Sequence, residues 1–134
     1  MTKRDDAMDR LVLASSAACD AVTGHFNGPA ADRVFLLGAV NDVLRWANGV
    51  AGSRADVMAA WPRVKALATL KDFTGSMKEP PRDFNRDEWA ASAVECVLRP
   101  LMAHLHGRMG LMEAADWASK AVPRALACAA RRRA

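Results

Sequence analysis

The sequence predicts an all-α fold of five helices, and three observations carry that prediction. Apolar residues recur at three- and four-residue spacing through five segments, capping residues and glycines separate those segments, and no stretch shows the alternation of a strand. The expected architecture is a five-helix bundle with a largely buried second helix and proline-kinked later helices, forming a single domain over 1–134.

The first helix is predicted over 5–23, opened by Thr2 and Asp5 at capping-box spacing with acidic residues in its first turn. Met8, Leu11, Val12, Ser15, Ala18, Cys19 and Val22 share its apolar face, and Asp5, Asp9, Ser16 and Asp20 face water. GHFNGP at 24–29 is a turn whose Gly28-Pro29 leads into the second helix, predicted over 32–51. Phe35, Leu36, Leu37, Val40, Val43, Leu44, Trp46, Ala47 and Val50 cover well over half of that helix, which makes it the expected buried axis. Its remaining polar strip is Asn41, Arg45 and Asn48, with Asp42 at the edge. Asn48-Gly49 and Gly52 end it.

Ser53 and Asp56 repeat the capping-box spacing and open a third helix predicted to about Phe73. Pro62 removes a backbone donor there, so the segment is expected either to kink or to divide into two helices. Residues 74–84, TGSMKEPPRDF, form a stiff proline-containing linker. Asn85 and Glu88 then start a fourth helix, interrupted by Pro100 and ended by Gly107. The fifth, over 110–130, buries Leu111, Ala114, Ala115, Ala118, Val122, Ala125, Leu126 and Ala129, with Pro123 bending its far end and 131–134 forming a basic tail.

A chain of 134 residues buries roughly two thirds of its unfolded surface and needs no disulfide or metal to fold. No run approaches the ~20 apolar residues of a membrane span, and no cofactor or small-molecule substrate is indicated. Cys19, Cys96 and Cys128 are odd in number and lack CxxC spacing, which reads as free thiols of a cytoplasmic protein. LVLASSAAC imitates an export signal, but Asp5, Asp6 and Asp9 precede it and Ser15-Ser16 break its apolar run. The preference for Ala, Leu and Arg, with no Tyr, suggests a GC-rich bacterial or phage gene.

Three chemical motifs reduce to structural readings. Asp83, Asn85 and Asp87 match the first ligand positions of a calcium loop, but Glu88 and Val94 stand where that loop needs Gly and Glu. His104 and His106 point about 200° apart on a helix and cannot share a metal unless the helix breaks at Pro100. His104 falls on the apolar side as a hydrogen-bonded core histidine, and His106 falls with Glu88, Glu95 and Arg99 toward solvent. Nucleophilic catalysis would draw on Cys96 or Ser92 with His104 or His106 and Glu95, yet no phosphate loop, GxSxG elbow or paired carboxylate accompanies them.

Charge gives the remaining lead. The net charge is +4, with residues 1–32 acidic (three basic, five acidic groups) and 33–75 basic (six against three). The segment 111–134 is basic again, with five basic against two acidic groups. Arg45, Arg63, Lys65, Arg124, Arg131, Arg132 and Arg133 are the candidates for contact with a nucleic-acid backbone, which needs cations at intervals and no base-reading motif. A helix-turn-helix over 110–133 lacks its turn glycine and contains Pro123. In size, helicity and mild basicity the whole chain resembles the small all-helical subunits of CRISPR effector complexes, a resemblance of class that carries over no individual residue. It implies a non-catalytic ribonucleoprotein subunit lining the path of a nucleic-acid strand.

The expected function is therefore a non-enzymatic subunit or adaptor of a larger assembly. Its alternatives are a protein-interaction module using Asn41 and Asn48 or the 77–84 linker, and a small enzyme using Cys96, His104 or His106.

Overall fold

The structure, a computed structural model, describes residues 2–68 and 86–130. Five helices follow in order: α1 Lys3–His25, α2 Ala30–Ala47, α3 Ser53–Leu67, α4 Arg86–Leu105 and α5 Leu111–Ala130. The predicted 74–84 linker, the 131–134 tail and the start of the calcium-like loop lie outside the described residues.

Local chemistry sets most boundaries. The Thr2 hydroxyl accepts from the Asp5 amide while the Asp5 carboxylate accepts from the Thr2 amide, so the predicted capping box starts α1. α2 begins after Pro29 and ends at Asn48, with Gly49 at φ +73° just beyond it. The predicted box at Ser53 is replaced. Gly52 is the N-cap of α3 with φ +80°, and the Ser53 hydroxyl donates to the Val50 carbonyl across the turn. α3 is one helix through Pro62 and stops at Leu67, short of the expected Phe73.

The polar contacts fix helix directions. Arg10 reaches Asp116, placing the first halves of α1 and α5 side by side. The Asn27 amide donates to Asp87 at 2.6 Å, and Trp46 meets His104 edge-on, so α2 runs parallel to α4. Arg54 donates to the Leu105 carbonyl and Arg99 lies over Trp61, so α3 runs antiparallel to α4. Arg54 thereby satisfies one of the orphan carbonyls at the end of α4, as Arg33 does for the Thr23 carbonyl near the end of α1.

The buried axis is α4, not α2. Among the described helices α4 alone touches all four others, and every residue from Trp89 to Leu98 is buried. α2 buries only Leu36, Ala39, Val40 and Val43; Phe35, Leu37, Leu44 and Trp46 are half-buried, and Val34 is exposed. Its apolar circumference exceeds what its neighbours cover, because it packs on α1, α3 and one side of α4 at the edge of the bundle. The interior seats of α4 and α5 are instead taken by alanines such as Ala90, Ala91, Ala115 and Ala118, whose small side chains allow close helix approach.

Two subassemblies result. α1, α4 and α5 form a close-packed trio, and α2 and α3 form a hairpin laid against α1 and α4. The hairpin is braced by Arg63–Asp32 at 3.0 Å and by Arg45, which bridges Asp42 at 3.2 Å and Asp56 at 3.0 Å.

Candidate functional site

Two of the predicted cations build the fold. Arg45 is held by Asp56 and Asp42, and its hydrogen bond to Asp56 is the main influence pushing its protonation equilibrium further toward the charged form. Arg63 pairs with Asp32 and lies 4.2 Å over the ring of Phe35. Both guanidiniums are therefore committed to the α2–α3 hairpin. Lys65 makes no ion pair among the described residues; its ammonium lies 5.5 Å from the centre of the Trp61 ring. Arg124 is exposed on α5, and Arg131, Arg132 and Arg133 lie outside the described residues. Asn41 is exposed on α2, and Asn48 is its exposed C-cap.

Among the described residues, an aromatic ring and cations from two helices come together at the seam where α3 meets α4. Trp61 and Lys65, one turn apart on α3, share the flank facing α4, while Arg63, two residues from Trp61, projects to the α2 flank. From α4, Arg99 places its guanidinium 5.5 Å from the centre of the Trp61 ring. The indole thus has a cation from each helix, an arrangement stabilised by the ring quadrupole.

Beneath this rim lies Glu95, only 1% exposed. Its Oε1 accepts from Arg99, while its Oε2 has no hydrogen-bond partner. One turn earlier the hydroxyl of Ser92, also fully buried, has none either. Burial raises the Glu95 carboxyl above its ordinary range, and the charges of Arg99 and Lys65 only partly oppose this. Sequence reasoning placed Glu95 with the solvent-facing residues; the seam encloses it. Two signals for this site were legible, the i,i+4 pairs Glu95–Arg99 and Trp61–Lys65, but neither indicates that the two pairs face one another.

The catalytic alternatives are not drawn together. Cys96 is fully buried, and burial, then the charge of Glu95, pushes its thiol well above the ordinary value, away from the nucleophilic thiolate. His104 stands eight residues along the helix, about 12 Å of rise away. Its Nδ1 is 3.0 Å from the Met109 carbonyl and its ring meets Trp46, which matches the expected structural histidine at half-buried rather than core depth. His106 is exposed. Among the described residues no three His, Cys, Asp or Glu side chains are placed to hold a metal, and Asp87 instead accepts from Asn27. No helix of the described residues is long and apolar enough to cross a membrane.

Comparison with protein-family models, curated proteins and solved structures returned no match.

Proposed function

We propose that the protein is a non-enzymatic helical subunit or adaptor of a larger assembly, contacting nucleic-acid backbone through its cationic surface. The observation that carries this reading is the gathering of Lys65 and Arg99, from two different helices, around the half-buried Trp61. A cation pair beside an aromatic ring suits a polyanion whose phosphates alternate with flat bases. Lys65, Arg124 and Arg131 to Arg133 are the contact residues in this reading, with Arg99 added. Arg45 and Arg63 support the surface by bracing the hairpin. The buried, protonated thiol of Cys96 and the engaged ring of His104 favour a non-catalytic role.

Affinity for single- and double-stranded DNA and RNA measured against salt tests the proposal. Binding should weaken steeply with ionic strength, and Lys65→Gln should reduce the log–log slope by about one. Binding without steep salt dependence, or none, would remove it.

A protein partner is the second reading, favoured by Leu13 and Val34, large aliphatic side chains each 70% exposed. Exposed Asn41 lies on the same helix as Val34. Co-purification of one protein that survives nuclease treatment would favour it over the first.

A further inference from the structure

Trp61 and Lys65 belong to a longer line of side chains. Arg54, Met58, Trp61 and Lys65 follow one another at intervals of four, three and four residues, so they stack along one flank of α3. Arg54 fixes the direction of that flank at its first turn by donating to the Leu105 carbonyl of α4 at 3.0 Å. Because α3 and α4 run antiparallel, Arg99 of α4 enters the line beside Trp61, between Arg54 and Lys65. Arg54, Arg99 and Lys65 therefore lie in one row, about 17 Å long by the helical rise from Arg54 to Lys65. The half-buried Met58 and Trp61 stand between the cations.

The charges of this row are turned to solvent. Arg54 and Lys65 are exposed, and neither has an ion pair among the described residues. Arg54 holds the Leu105 carbonyl through Nη2 and Arg99 holds Glu95 through Nε, which leaves other N–H groups of each guanidinium for an outside acceptor. The carboxylate of Glu95 is buried beneath the row, and that of Asp56 is held by Arg45 on the α2 side of the hairpin. α1, which makes no contact with α3, exposes Asp9 and Asp20 instead, so a polyanion is repelled there and drawn to the α3–α4 seam.

We infer that this row is a track for single-stranded nucleic acid, with Arg54, Arg99 and Lys65 on phosphates of one strand and Trp61 as the platform for a base. The inference rests on the nucleic-acid reading above and narrows it to one class of strand. In the free protein the Lys65 ammonium lies over the indole at 5.5 Å. Being exposed, it can turn outward to a phosphate and uncover the ring, which exchanges a cation–π contact for base stacking. A duplex keeps its bases stacked within itself. It can offer the row only phosphates and leaves Trp61 unused. Arg54 thereby joins the contact residues, since it occupies the end of the row opposite Lys65.

Fluorescence anisotropy of labelled oligonucleotides titrated with the full chain over a range of salt tests it, single strands being compared with a duplex of the same length and sequence. Single strands should bind severalfold more tightly than the duplex. Arg54→Gln should lower the log–log salt slope on single strands by ~0.7, Arg54→Lys should restore it, and Lys3→Gln on α1 should leave it level. Trp61→Leu should weaken single-strand binding about tenfold with little effect on the duplex, and Trp61→Phe should keep most of the affinity. Duplex binding as tight as single-strand binding, or an unaltered slope for Arg54→Gln, overturns the inference. If steep salt dependence persists in either case the backbone reading stands, and if nothing binds both fall. Should Trp61→Leu fail to fold, the Arg54→Gln slope and the comparison of strands decide by the same criteria.

Discussion

Glu95 shows how much one side chain's surroundings can reverse its expected effect. A surface Glu followed by Arg four residues later stabilises a helix slightly. Here the same pair sits with its carboxylate buried, where lost hydration outweighs what Arg99 and Lys65 return and raises the carboxyl value. Between the unfolded carboxyl value near 4.5 and the higher native one, the folded chain holds more protons than the unfolded chain. Stability from this group is therefore full at acid pH and lost as pH rises through the native value. Glu95→Gln should stabilise the protein at neutral pH by roughly 1 kcal/mol, with the gain vanishing below that window. Chemical denaturation of both forms across pH measures it, and a neutral-pH loss would contradict the sign. Burial of this kind was unreadable from sequence, because Glu88, Glu95, Arg99 and His106 share a polar face that a helical projection assigns to water.

At the scale of the element, the legible features were those fixed within a few residues. The Thr2–Asp5 box and the glycine beyond α2 depend only on local geometry, and both form as the sequence indicates. Ser53–Asp56 has the same spacing as Thr2–Asp5 but does not cap, since Ser53 is already turned back to the Val50 carbonyl and Gly52 takes the capping position in the left-handed region. A motif's spacing is necessary for the box, and the preceding turn decides whether it is used. Gly52→Ala should destabilise by about 1–2 kcal/mol from backbone conformation alone, because open space surrounds the added methyl group. A thermal melt of the variant checks this, and an unchanged midpoint would show that the turn has another available shape.

Across the whole molecule, enclosure rather than hydrophobicity decides what matters to stability. Leu98 lies in α4 with no exposed surface, whereas Leu13 on α1 is 70% exposed. Leu98→Ala should cost about 2–5 kcal/mol, and Leu13→Ala should stay within roughly 0.5 kcal/mol. Equilibrium unfolding of the pair measures the contrast; comparable losses would mean that Leu13 is covered in solution, as the protein-partner reading requires. The candidate site is likewise a product of assembly. Arg45 and Arg63 resembled Lys65 in sequence, but the hairpin gives the two arginines to Asp42, Asp56 and Asp32 and leaves Lys65 beside Trp61.

The sequence by itself determined the all-α class, the five helices and most of their ends, since periodicity, caps and glycines act over a turn or two of chain. It also marked the face of α5, where polar and apolar residues separate cleanly, but not all of that of α1, where Ala7, Ala14 and Ala21 are buried and Val12, expected on the apolar face, is exposed. Only the tertiary structure decided which helix became the axis. The 32–51 segment carries the broader apolar surface, yet α4 is enclosed, because burial is set by how many neighbours surround a helix and how closely their small residues let them approach. The same physical reason explains the seam: only when α3 was laid against α4 did Glu95, Arg99, Lys65 and Trp61 become one site.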